Sequence, residues 1–342
     1  MPIGRQDQGG MIPIAGGAIV PRLDLGMVLV VDPSRFDSAA LDAGLAAEPA
    51  APPPAFDRSA VTWRSDLRPH TTLIRLQSRI AGGDLGLAAR LAGLAAPPPH
   101  APEGAAHCLD LTAEADGYGL WCDGTFLRRV AGRPDLIGAV YGAVLELTAS
   151  PRRLALQMHA AAVVVDGVPL VLGAPSGGGK TTLTLGLAKA GAEVLSDDTV
   201  GLMEDDLSLV GLAASMRVRD GGWPTVAPLL GPHGAALVPD GAGIRHVPPR
   251  LAGEVRVFSP PAAAVLLLDY RPGAACRWEP MAAAEGLALL VQAGAALPRD
   301  PAPTAPAALA RWCSGTRFLR LTYGSLDDGV RGVFIIRSAL VR

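Results

Sequence analysis

Apolar runs bounded by turn residues dominate the middle of the chain. Ala161-Ala-Val-Val-Val165 and Val168-Pro-Leu-Val-Leu172 flank Asp166-Gly167, which predicts a buried β-hairpin. From Thr181 to Ala190 the pattern turns helical, and Gly191 is suited to end that helix. Glu193-Val-Leu-Ser196 then reads as a short strand. Upstream, Tyr118 to Cys122 and Thr125 to Val130 flank Asp123-Gly124, a second hairpin signal. An amphipathic helix from Pro134 to Leu147 follows, with proline suited to its first position. Its expected roles are packing against the second half or presenting a substrate.

Downstream, Thr199 to Met203 and Leu207 to Val210 flank Glu204-Asp-Asp206, a hairpin whose acidic tip reads as a solvated turn. Val265 to Asp269 predicts a buried strand and Phe318 to Tyr323 a late one. Helices are predicted from Met281 to Ala296 and from Ala305 to Cys313. Three Ala/Pro-rich stretches, Ala46 to Ala55, Ala95 to Ala105 and Leu297 to Ala307, read as loops because proline removes donors and fixes φ. The expected fold class is α/β, with a smaller α/β module over 1–150 and a second domain over 151–342.

The chemistry enters between the hairpin and the following helix. Ala174-Pro175-Ser176-Gly177-Gly178-Gly179-Lys180-Thr181-Thr182 fits a phosphate-binding loop, with Ala174 in place of the usual first glycine. A polyphosphate needs many donors and no obstructing side chains. The three glycines let backbone N–H groups turn inward, and the helix start adds its own unpaired N–H groups. In this pattern Lys180 reaches the β- and γ-phosphates and the Thr181 hydroxyl ligates Mg²⁺. Asp197-Asp198 follows the lysine by seventeen residues, at the end of the next predicted strand. One carboxylate would hold Mg²⁺ and the other would accept a proton from an attacking hydroxyl. ATP and Mg²⁺ are the expected cofactors.

The stretch from Met158 through the loop to Leu202, about 45 residues, resembles the HPr kinase/phosphorylase family and its relatives. That family shares a phosphate-binding core with ATP-dependent phosphoenolpyruvate carboxykinases. The resemblance lies in an ordered set: a histidine before a hairpin, the loop, one helix and the aspartate pair. It implies a P-loop core of that type, and it places His159 near the phosphates beside the carboxylates, where an imidazole suits charge stabilisation or proton handling. The family's second signature segment is missing, and the N-terminal region does not read like theirs. These departures point away from HPr and from a reverse phosphorylase reaction. They point towards the diverged HPr kinase-like proteins, some of which phosphorylate a serine on ribosomally made precursors such as lasso peptides. Relatives form oligomers, and the resemblance extends that expectation to a homo-oligomer.

Composition narrows the partners. A net charge of −2 gives no global reason to expect nucleic acid or an acidic membrane surface. No apolar run reaches the ~18 residues of a membrane span, and the first residues hold no signal core. The four cysteines, Cys108, Cys122, Cys276 and Cys313, lack metal or redox spacing, so reduced thiols in a cytoplasmic protein are the simplest account. His70, His100, His107, His233 and His246 carry no such context.

Arg217 and Arg219 would point the same way on a strand, either as a solvated face or towards a transferring phosphoryl group. Asp220-Gly-Gly-Trp-Pro224 would form a turn at the mouth of the site. The leading expectation is a kinase acting on a serine hydroxyl of a protein or peptide. A small-molecule hydroxyl kinase and a nucleotide-binding regulatory protein remain as alternatives. No Leu-Ser-Gly-Gly-Gln segment supports a transport ATPase, and no basic dicarboxylate site supports a carboxykinase.

Overall fold

The computed structural model describes residues 11–22, 27–34, 60–83, 85–94 and 107–342, together with Pro54 and Phe56. It is a mixed α/β structure with five sheets among the described residues. The expected loops at Ala46 to Ala55 and Ala95 to Ala105 lie outside the described residues, Pro54 apart.

The chain opens with an antiparallel meander of β1 (Ile12–Ile14), β2 (Gly17–Arg22) and β3 (Met27–Val31). Next comes a five-stranded sheet of β4 (Trp63–Leu67), β5 (Ile74–Ser78), β6 (His107–Glu114), β7 (Gly117–Cys122) and β8 (Thr125–Val130), in that spatial order. Only β5 and β6 run parallel in it. Helix α1 (Leu87–Leu91) lies between them in sequence, and α2 (Arg133–Ala149) follows β8. Asp123 and Gly124 take positive φ at the β7–β8 turn, as an Asp-Gly hairpin requires.

Strands β9 (Leu154–Met158), β10 (Ala161–Val165) and β11 (Val168–Gly173) lead into α3 (Lys180–Lys189) and β12 (Glu193–Ser196). Then come β13 (Val200–Met203), β14 (Leu209–Gly211), β15 (Met216–Arg219), α4 (Trp223–Leu230), α5 (Pro232–Ala236), β16 (Ile244–Val247) and β17 (Phe258–Ser259). The chain finishes with β18 (Ala264–Tyr270), β19 (Arg277–Met281), α6 (Ala283–Gln292), α7 (Ala305–Gly315), β20 (Arg317–Tyr323) and α8 (Leu326–Leu340).

The central sheet has the order β12-β10-β11-β18-β20-β19. Strands β11, β18 and β20 are parallel, while β10 is antiparallel to both its neighbours, so β11 and β12 point the same way. Both faces are buried, and the period of two along each strand divides the side chains between two cores. Ala161, Val163, Leu170 and Leu172 pack with Leu183 and Leu187 of α3 and with Val333 and Ile336 of α8. Ala162, Val164 and Val171 face the other core, with Leu287 of α6, Leu309 of α7 and Ile19 of the meander. Sheet β17-β14-β13-β9 packs into that second core too.

Helix α2 is buried along most of its length, and its core joins two parts of the chain. Leu136, Val140 and Val144 pack with Leu109, Leu111 and Leu120 of the five-stranded sheet, and the same cluster contains Leu154, Met203 and Val210. The amphipathic stripe read from sequence is therefore a nearly all-round apolar surface, because sheets meet the helix on more than one side.

Several expectations need correction. The helix expected from Met281 covers only Ala283–Gln292, because Arg277–Met281 is an edge strand paired with β20 and Gly294 takes φ +111. The loop expected to run to Ala307 ends earlier, since α7 starts at Ala305 with Pro306 in its first turn. The acidic tip at Glu204-Asp-Asp206 does reach solvent, with Asp205 and Asp206 both exposed. Arg152 donates to Asp205 at 2.8 Å and pairs with Asp206, which pulls the Asp205 carboxyl down to about 2. Among the described residues, no helix is long and apolar enough to cross a membrane.

Candidate active site

The loop between β11 and α3 is shaped by its glycines. Gly177 and Gly179 take φ +81 and +86, conformations that disfavour any side chain. Gly178 is needed for a different reason: a Cβ there would lie 2.8 Å from the Ala174 Cβ and 3.0 Å from the Pro175 carbonyl. The Gly178 N–H closes the turn on that carbonyl at 3.0 Å. Ala174 has no positive φ and is buried in the core shared with α3, so alanine fits where the pattern usually has glycine.

Lys180 is the first residue of α3, and its ammonium donates to the Ala174 carbonyl at 2.6 Å. Burial pushes its pKa down, while Asp197 and Asp198 oppose that shift. Thr181 Oγ1 donates to Asp197 Oδ2 at 2.8 Å. The other oxygen of that carboxyl, Oδ1, is buried without a hydrogen-bond partner among the described residues. Burial, and then the adjacent charge of Asp198, push the Asp197 carboxyl up to about 7.

Strand β12 delivers the aspartates. It runs alongside β11 in direction, so its C-terminal end reaches the same edge of the sheet as the loop. Ser196 shapes the turn: its hydroxyl donates to the Leu212 carbonyl at 2.9 Å and accepts from the Asp198 and Thr199 N–H groups at 3.2 and 3.0 Å. The β9–β13 ladder brings in the histidine. Met158 pairs with Val200, so His159, one residue on, comes beside Asp198. Its Nδ1 lies 3.2 Å from Asp198 Oδ1.

These groups share a cleft of about 390 Å³. Its lining includes Pro175 to Thr182, His159, Asp197 and Asp198. Ala174 lies behind it as the acceptor for Lys180. Arg217 and Arg219 both reach the cleft, and Val218 between them lines it as well. Arg217 is half-buried with Nε unpartnered, and burial, followed by the charge of Arg90, pushes its pKa down. Gly221 and Gly222 line the mouth, as the expected turn implied, although Trp223 already begins α4.

Three lining residues carry no motif in the sequence: Tyr141 from α2, Ser215 from the segment before β15 and Ile244 at the start of β16. The only available hint was a tyrosine within an otherwise apolar helical run. Outside the cleft, ligand atoms of His107, Cys122 and Asp123 gather within 4.8 Å of one another, with His107 Nδ1 2.8 Å from Asp123 Oδ2.

The chain matches no protein-family model and none of the curated proteins compared with it. Among solved structures it is similar to the Hpr(Ser) kinase/phosphatase from Coxiella burnetii. The likeness spans 54% of this chain and 96% of that one, at 14% identity and a TM-score of 0.28. A likeness of that size carries no functional weight, and the reading below rests on the cleft itself.

Proposed function

We propose that this chain is an ATP- and Mg²⁺-dependent kinase that transfers the γ-phosphate to a hydroxyl, that of a serine in a protein or ribosomally made peptide. On this reading β10, β11, α3 and β12 form a P-loop core of the HPr kinase/phosphoenolpyruvate carboxykinase type. The observation that carries it is the Thr181–Asp197 pair, with one buried carboxylate oxygen unpartnered and Asp198 next in the chain. A hydroxyl and a carboxylate in that relation suit a hard divalent cation, and the orphaned Oδ1 offers it an oxygen.

ATP would supply the phosphoryl group, and Mg²⁺ would neutralise charge on its terminal oxygens. The chain's own residues do the remaining work. The loop N–H groups and the start of α3 hold phosphate oxygens. Lys180 would exchange its Ala174 contact for a phosphate oxygen, which returns its charge to a favourable setting. Thr181 and Asp197 would ligate the metal. Asp198 would take the proton of the acceptor hydroxyl, with His159 orienting that carboxylate and tempering its charge. Arg217 and Arg219 are positioned to offset charge on the transferred group or on the acceptor.

Mass spectrometry tests this directly. The full chain is incubated with ATP, Mg²⁺ and a lysate, a panel of serine peptides or small hydroxyl metabolites, beside Asp198→Asn. A species heavier by one phosphoryl group, formed only by wild type, supports the kinase and identifies the acceptor class. Tight ATP binding with no product in any mixture would turn the reading towards a regulatory nucleotide-binding protein.

A further inference from the structure

We propose that the part of the cleft built by α2, Ser215 and β15 is a subsite for an oxyanion, a carboxylate or phosphate carried by the phosphoryl acceptor, with Tyr141, Ser215 and Arg217 as its donors. The proposal deepens the kinase reading and rests on it for the identity of the acceptor.

Three observations converge. The Tyr141 hydroxyl, Ser215 Oγ and Arg217 Nε are all buried, and among the described residues none has a partner of ordinary hydrogen-bond geometry, although the Arg90 guanidinium lies against the Tyr141 hydroxyl as a donor. All three residues line the same cleft as the glycine-rich loop and the aspartate pair. Buried polar groups are normally satisfied, so three buried donors without an acceptor in one cleft mark a place prepared for something else. Each of them can donate, and Arg217 cannot accept at all.

The local charge sharpens the choice. Arg90, from the last turn of α1, bears on both Tyr141 and Arg217, and the two guanidinium groups repel each other. The Ser215 N–H is tied to the Arg90 carbonyl at 2.7 Å, which fixes α1 against the segment leading into β15. Asp198 is the carboxylate that partly offsets Arg217, and it is also paired with His159 at 3.2 Å. A neutral amide or hydroxyl would leave the two cations with only the partial offset from Asp198. An oxyanion would satisfy the orphan donors and the charge together.

The acceptor implied is therefore a hydroxyl compound with an acidic group close to the reacting oxygen, such as a serine beside a carboxylate or phosphate. Two of the contributing elements, α1 and α2, lie in the first 150 residues. Acceptor selection would thus be assigned in part to that half of the chain.

The test separates this subsite from the loop. The full chain is first saturated with a non-hydrolysable ATP analogue and Mg²⁺, and is then titrated by calorimetry with inorganic phosphate and with malonate. At least one anion should show saturable binding, weakened about tenfold or more by Tyr141→Phe and by Ser215→Ala, as expected for one lost hydrogen bond to a charged group. Tighter phosphate binding would indicate a phosphorylated acceptor, and tighter malonate binding a carboxylate-bearing one. Thermal melts confirm that both variants fold. The proposal is overturned if neither anion saturates the analogue-bound protein, or if both variants bind it as wild type does. If the analogue itself does not bind, the kinase reading falls, and the same two variants decide the subsite by malonate titration of the nucleotide-free chain.

Discussion

Thr181 holds one oxygen of Asp197 at 2.8 Å and leaves the other buried with no partner among the described residues, a setting hostile to the carboxylate charge. The folded-state pKa of about 7 lies above the ordinary 3.8, so the folded chain holds this proton more tightly than the unfolded one. Stability from this group is therefore lost as pH rises from about 4 to about 7, by on the order of 4 kcal/mol at most. Asp197→Asn should melt at a higher temperature than wild type at pH 8 without metal, and the gap should close as the pH falls below about 4. Added Mg²⁺ should raise the wild-type melting temperature and leave the variant's unmoved. Melts across pH with and without Mg²⁺ check both outcomes.

Lys180→Met should weaken nucleotide binding by roughly 10–100-fold, the range for losing one or two hydrogen bonds to a charged group. The nucleotide-free variant should fold, because burial already disfavours the lysine's charge. Calorimetric titration with ATP and Mg²⁺ measures the first outcome and a thermal melt the second. Unchanged ATP affinity would remove the loop from nucleotide binding.

Asp198→Asn should lower turnover by about 10²–10⁴-fold, the usual contribution of a positioned proton acceptor. The loss should appear in kcat rather than in nucleotide affinity. His159→Gln should have a smaller effect, since it acts through Asp198. Kinetics on the acceptor found by mass spectrometry distinguish the two. Equal losses would give the histidine a direct role.

Away from the cleft, Gly211→Ala should destabilise the fold by about 1–3 kcal/mol. A Cβ there would run into the Leu195 carbonyl oxygen, and backbone cannot swing aside as a side chain can. Urea denaturation of the variant beside wild type measures the difference.

The sequence displayed those parts of the site that local chemistry dictates. The hairpin of β10 and β11, the loop and Asp197-Asp198 could all be read because turn residues, glycines and a lysine must occur at fixed offsets. Arg217 and Arg219 could be paired by strand period, but whether their face met solvent or the cleft depended on where β15 packs. Tyr141 stood out only as a tyrosine in a mostly apolar helix whose direction is set by the sheets around it, and Ser215 carried no local signal at all. Edge strand β19 was missed for the opposite reason: Arg277, Trp278 and Glu279 are exposed, so no apolar alternation marks it. Helix α8 does begin at a capping serine, the Ser325 hydroxyl accepting the Asp328 N–H at 3.2 Å, but the glycines Gly329 and Gly332 weaken the helical pattern in the sequence.

Helix α2 has a mechanical consequence. Its residues share one apolar cluster with β6 and β7 on one hand and with Leu154, Met203 and Val210 on the other. Severing the chain after Ser150 would leave Leu154, Met203 and Val210 wetted and would remove Tyr141 from the cleft. The two pieces should therefore melt in a single calorimetric transition when joined, and neither should be expected to survive alone. A contact made at the five-stranded sheet would then reach the cleft as a change in the stability of one cooperative unit.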